Sequence, residues 1–434
     1  MSHYAPIVRP TAEHLSSLAQ NWIGLSARRE HRYCYRSMRM LRRNTKRAET
    51  IRSSAAAAAK LTSATVLAFA LIGCKWVGYA PAMVSNRSAG YAYITNNGDG
   101  TVSQFSRQAD GTLIFQRLTR AGAMDGPIGI AVDASNRFVY VANEGDNRVY
   151  EFRIQRGTGD LEAIGDGSVS DGPASRPQQI AIGPHGDFVY VTNAGGGKGV
   201  AGSISQYAID QRHGALRPLG IFRGDGLKQP HGIVVAPSGK FVYVSDPAAG
   251  TILAFAVAPD GTLKLMASTP SMGAKTGQPG MIAIAPSGGF VYTVDGAAGA
   301  AAVFKAGADG RLAFVKAYPV GVSTAEPLGM ALAGAGADNF LYTANRAVDS
   351  VSCLAVKDGA LMLIGQSGTG LGGPTGMAVD PGGHFLYVVN RDAATVAQFA
   401  VEALPGGGLF PAATIFTEDP ANESSHSLYI AMTH

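Results

Sequence analysis

Three side chains are placed to act on a small molecule. His231 follows a proline in "QPHGIVVA", and Arg346 and Arg391 each follow an asparagine that ends an apolar run. An imidazole transfers protons near neutral pH, and a guanidinium presents a planar fork of donors to an oxyanion. Glu144, Arg176, Gln178, Asp246 and His426 stand at comparable points of other segments. His, Arg and a carboxylate around one funnel would bind an anionic sugar or a lactone, with His as general acid or base. For any single member, a solvated loop side chain is the plainer reading.

These residues come together only if the chain brings distant segments to one face, and a repeat does so. "FVYVAN" recurs as "FVYVTN", "FVYVSD", "FVYTVD", "FLYTAN" and "FLYVVN", with a weaker first copy, "AYITN". The copies end at Asn96, Asn143, Asn193, Asp246, Asp295, Asn345 and Asn390, a period near 50 residues. Such a period, with several short strands per unit, predicts an all-β, seven-bladed β-propeller. Each unit has a strand A opening with Pro-x-x, such as "PIGIAVD", then a turn, the repeated strand B, and strands C and D. Strand B is apolar on both faces, as a strand between two neighbours must be. The first strand B has no strand A before it, and "SHSLYIA" (425–431) has no strand B after it. The C-terminal strand should therefore pair with the first and close the ring, which removes the open edges.

In an antiparallel blade, the entry to strand A and the exit from strand B share one face. On this reading the strand-A entries are Ile128, Gln178, His231, Gly280, Leu328, Thr375 and His426, while the A–B turns, with His185 and His384, lie opposite. The Asn or Asp ending each strand B is expected to cap a tight turn and to tolerate the left-handed conformation.

The net charge of +5 is uneven. Residues 1–60 hold 12 Lys+Arg and 3 Asp+Glu, leaving 24 and 28 for the remainder. That remainder lacks the basic stripe nucleic acid requires, so no nucleic-acid partner is expected. "GTGLGG" (368–373) has the spacing of a nucleotide loop but leads into a strand pattern, so no cofactor is expected. No metal-ligand spacing is present, and the expectation is a monomer. Cys353, in "SVSCLAV", reads as a small buried apolar residue.

The basic run "RMLRRNTKR" precedes the apolar "LTSATVLAFALIG" and Cys74. A charged segment before a short apolar one is a secretory signal, and 13 apolar residues are too few to span a bilayer. "LIGC" resembles the bacterial lipobox, which implies a lipid on Cys74 and a membrane-anchored protein of the cell envelope. Met38 and Met40 would each start a signal of ordinary length. The expected organisation is a non-native or disordered leader (1–37), a signal peptide (38–73), a linker (74–90) and the propeller (91–434).

The repeat resembles the lactonase-family propellers, which include bacterial 6-phosphogluconolactonases, and the related "YVTN" surface repeats; "YVTN" occurs at 190–193. The resemblance covers roughly residues 90–434. "QPHGIVVAPSGKFVYVSD" is similar to the family's Pro-His strand and places His231 on its histidine. The resemblance implies lactone hydrolysis, with His231 as base on water and Arg391 or Arg346 holding the oxyanion. "QPGMIAIAPSGGFVYTVDG" lacks the Arg-His and Glu of the next family segment, which favours a non-catalytic interaction propeller as the alternative.

Cys74→Ser should abolish lipidation and leave an uncleaved precursor on gels. Unchanged maturation and membrane fractionation would refute the lipobox reading.

Overall fold

The computed structural model describes residues 88–433 except 173–174, 197–199, 225, 274–276, 334–338, 402–408 and 417–425. The leader, the signal peptide and Cys74 lie outside the described residues. Ser85–His434 forms one compact unit. It contains seven four-stranded antiparallel sheets, one per blade. The repeated sequence is the second strand of each, for example Phe138–Asn143 in blade 2 and Phe188–Asn193 in blade 3.

Seven apolar cores lie between the blades, each built from two neighbours. This explains why strand B is apolar on both faces: Val139 and Val141 pack toward blade 1, Phe138 and Tyr140 toward blade 3. The tyrosines also make a polar contact across the seam. Tyr93 Oη donates to the Gly159 carbonyl at 2.7 Å, Tyr140 to Gly214 at 2.8 Å, Tyr190 to Gly261 at 2.9 Å and Tyr387 to Gly111 at 2.6 Å. Each acceptor is the glycine of the next blade's C–D turn. A Cβ on Gly214 would lie 2.3 Å from the Phe138 ring, and its φ is +83°. Only glycine meets both demands there.

The polar ends of strand B act differently from expectation. None of the seven has positive φ, and Asn345 is extended at φ −102°, ψ 95°. The left-handed residue falls four positions later, as in Asn147, Asp349 and Ala394. The side chains, all fully buried, supply the capping. Asn96, Asn193 and Asn345 donate to Ser103, Ser205 and Ser352 of strand C at 2.7, 2.9 and 2.7 Å. Asp246 and Asp295 instead accept backbone N–H groups, from Lys228 at 2.6 Å and from Gln278 at 2.6 Å. Amide or carboxylate is chosen by whether the site needs a donor or an acceptor.

Closure is as expected. Ser427–Met432 pairs antiparallel with Gly90–Asn96, and Ser427 Oγ donates to Asn96 Oδ1 at 2.8 Å. The register corrects one expectation. Ser427 stands opposite Asn96 as Pro127 stands opposite Asn143. Leu428, not His426, is therefore the counterpart of His231. A second departure is in blade 4, where strand A is only Ile233–Val235 and does not begin at its proline.

Deleting residues 427–433 removes the innermost strand of blade 1 and should cost several kcal/mol, read as a large fall in Tm. An unchanged melting curve would mean the ring closes elsewhere. A pH effect is expected at Glu151. It takes the place held by Gln104 and Gln206, whose Oε1 atoms accept from Leu161 N and Leu263 N; Glu151 Oε1 accepts from Leu216 N at 3.0 Å. Burial raises its pKa from 4.5 to about 7. A raised folded pKa means the proton binds the folded state more tightly, so this stabilisation is complete below pH 4.5 and is lost as pH rises through 7. Glu151→Gln should therefore stabilise by on the order of 2 kcal/mol at pH 8 and be near neutral at pH 4. Equal effects at both pH values in urea melts would refute this.

Candidate functional site

The D–A and B–C loops share one face of the disc, and the polar residues expected there divide into separate groups. At blades 2 and 3, Glu144 and Arg176 form an ion pair, with Arg176 Nε 2.7 Å from Glu144 Oε1. They border a cleft of ≈ 490 Å³ with Asn97, Asp125 and Asn147. Arg176 is held at φ 52°, its N–H donating to Asn147 Oδ1 at 2.8 Å, and Gln178 Nε2 donates to the Arg176 carbonyl at 3.2 Å. These contacts satisfy much of the group internally.

At blades 6 and 7, Arg346 Nη2 lies 3.8 Å from Asp392 Oδ1. Arg391 is half-buried, and its Nε is buried with no hydrogen-bond partner among the described residues. Its backbone N–H donates to the Gly373 carbonyl at 2.9 Å, which fixes the base of the side chain.

His231 enters blade 4 just ahead of the short strand A. Its N–H donates to Ser245 O at 2.9 Å, and its carbonyl accepts from Thr192 Oγ1 of blade 3 at 2.6 Å. The backbone is therefore held from both blades. The residue is half-buried, but Nδ1 is fully buried and unpartnered. Burial lowers the imidazole pKa to about 4, so His231 is neutral at pH 7. Among the described residues, no hydrogen bond or ion pair joins it to Arg346 or Arg391.

One expected ligand contact, that of Asp246, is not available. Asp246 is fully buried, and its oxygens accept from Lys228, Gln229 and Ala249 N–H groups. His426 is exposed ahead of the closing strand, and its carbonyl accepts from Asn97 N at 3.0 Å.

The axis holds a feature that sequence inspection missed. Every blade contributes to a tunnel of ≈ 170 Å³, lined by Ile130, Ile180, Ile233, Met330 and Met377 among others. The third residue of the segment that opens strand A, counted from its proline, is Gly129, Gly232, Gly329 or Gly376 in four blades, where backbones crowd: a Cβ on Gly376 would lie 2.3 Å from Leu428 O. In the other three it is Gln179, Met281 or Tyr429, and these side chains line the tunnel. Burial raises the Tyr429 pKa to about 12, with Gln179 beside it, and Gln179 Nε2 has no hydrogen-bond partner among the described residues. The alternation of glycine and larger residues at this position was the available signal. The funnel thus has an apolar floor with one polar pair, beneath a charged rim.

The family model for the lactonase, 7-bladed beta-propeller, matches residues 78–176, 222–330 and 315–407. No curated protein matches. Among solved structures, the fold is similar to a Bacteroides fragilis protein provisionally assigned as a 6-phosphogluconolactonase, at 20% identity and TM-score 0.67, covering 81% of this chain and 99% of that one. It is also similar to a periplasmic gluconolactonase of Pseudomonas aeruginosa, at 17% identity and TM-score 0.66, covering 80% and 99%. At these identities the likeness is one of fold. Seven blades, ring closure by the C-terminal strand and a family match over more than half of the sequence agree: this chain belongs to the lactonase family of seven-bladed β-propellers.

Proposed function

We propose that this chain is an exported, lipid-anchored propeller that binds a sugar-lactone-like molecule on the face carrying His231. The observation that carries the reading is a pair of half-buried side chains on this face, His231 and Arg391, whose Nδ1 and Nε have no hydrogen-bond partner among the described residues. Buried polar atoms are costly unless something pairs with them. A lactone or sugar acid offers a carbonyl or carboxylate to the guanidinium and hydroxyls to a neutral imidazole. The lipobox-like "LIGC" and the periplasmic gluconolactonase among the similar folds support the envelope address and the ligand class.

Binding is better supported than turnover. A general base must accept a proton in the transition state, and the burial that lowers the His231 pKa to about 4 makes its imidazole a weak base. Among the described residues, no carboxylate forms a hydrogen bond or ion pair with the ring to stabilise an imidazolium. Asp246 and Asp295 are consumed by backbone N–H groups, which also favours an interaction propeller of the "YVTN" kind as the second reading.

The test is calorimetry of residues 85–434 with glucono-δ-lactone, beside a hydrolysis assay. Wild type should bind, and His231→Ala and Arg391→Ala should each weaken binding at least tenfold with unchanged Tm. The His231 ring should titrate below pH 5 by NMR. Hydrolysis above background that falls by roughly 10²–10⁴-fold in folded His231→Ala would establish a catalytic base instead. Absence of binding to sugar lactones would leave the second reading standing.

A further inference from the structure

On the face opposite His231, the seam between blades 2 and 3 departs from the repeat. A cleft of ≈ 420 Å³ opens there beside Phe138, lined by Arg137, Arg153, Arg156 and Arg212. The strand-C residue paired with the strand-B phenylalanine is Ala208, Ala256, Ala355 or Ala400 in four blades and Lys305 in another. In blade 2 it is Arg153. The residue before that phenylalanine is Asp187, Lys240, Gly289, Asn339 or His384 elsewhere, and Arg137 here.

Two of the four guanidinium groups are held in place. Arg137 donates through Nε to Ser135 Oγ at 2.8 Å and through Nη1 to the Gln211 carbonyl at 2.9 Å, and lies 4.8 Å from the Phe138 ring centroid. Arg153 Nη2 donates to the His213 carbonyl at 3.3 Å. Arg156 and Arg212 project, exposed, from the C–D turns of the two blades. None of the four has an ion-pair partner among the described residues. The nearby acids are engaged: Asp133 accepts from the A–B turn, Asp210 pairs with His213, and Glu162 accepts from Gln155.

Four unpaired like charges in one cleft repel each other, on a body whose own balance is acidic. An anion reverses that cost. We propose that this cleft is a second binding site, for a small polyanion carrying two or more phosphate groups. Guanidinium forks suit phosphate oxygens because they donate bidentately from a fixed plane. The volume fits a small organic ligand rather than a single phosphate. Arg137 and Arg153 form the preorganised base of the site, and Arg156 and Arg212 close on it from the two turns. The phosphates would come from a soluble phosphate ester or from lipid headgroups.

The unit comprising residues 85–434 closes on its own strands and contains all seven cores, so it can be tested without the basic leader. Calorimetry at low salt should show one inorganic tripolyphosphate per chain, bound at least tenfold more tightly than inorganic phosphate. The double variant Arg153→Ala, Arg212→Ala should lose at least tenfold in affinity. A control of equal charge loss elsewhere, Arg117→Ala with Arg311→Ala, should stay within twofold. If the first variant unfolds, Arg153→Gln with Arg212→Gln replaces it. Vesicle binding to phosphatidylglycerol that tripolyphosphate competes away, and that the double variant loses, would name lipid phosphate as the source; no vesicle binding would name a soluble ester. No heat with tripolyphosphate, or equal losses in both double variants, would overturn the proposal.

Discussion

The structure depends on the grip of each strand B on the turn of the next blade. A ring of separate sheets has no covalent or hydrogen-bonded ladder between blades, so the seams must be held by side chains. Here an aromatic residue covers a glycine, and two positions on a tyrosine hydroxyl bonds the same glycine's carbonyl, as in Phe138, Tyr140 and Gly214. The ring buries apolar surface while the hydroxyl satisfies a carbonyl that the burial would otherwise strand. Tyr387 on Gly111 carries the same contact across the closing seam, so closure uses both a shared sheet and a seam contact.

The seams also govern what each face can do. Hydroxyls ending strand B reach the next blade's strand-A entry: Thr95 to Ile128 O at 2.8 Å, Thr192 to His231 O at 2.6 Å. The backbone of His231 is thereby fixed by blade 3 although the residue belongs to blade 4. Glycines at the third strand-A position let the inner backbones approach, and the three exceptions fill the axis. A ligand on the His231 face would thus meet a nearly filled tunnel floor and a rim of charged pairs.

Electrostatics follow burial more than pairing. His231 is pushed down and Glu151 up by the same cause, loss of water around the charged form. The rim carboxylates and guanidinium groups largely neutralise one another, as Glu144 with Arg176 and Arg346 with Asp392 do. The groups left without partners are the informative ones, because a native fold rarely buries a donor or acceptor without use for it.

The sequence by itself determined the blade count, the strand order and the closure, because "FVYVAN" and its copies encode burial on both faces at a fixed period. It also placed His231 and its neighbours on one face, since alternating strand direction follows from the order of strands. It did not determine register at the end: "SHSLYIA" gave His426 the strand-A position that His231 holds in blade 4, and only pairing with Asn96 gave that position to Leu428. Nor did it separate Asp246 as a capping group from Glu144 as a rim group, since both are carboxylates just after the same motif. That difference is one of burial and hydrogen-bond supply, which depends on what neighbouring chain segments bring. The unpartnered state of Arg391 Nε, the neutrality of His231 and the gathering of Arg137, Arg153, Arg156 and Arg212 were likewise decided only by the tertiary structure, because each rests on contacts between side chains and segments that the repeat pattern does not specify.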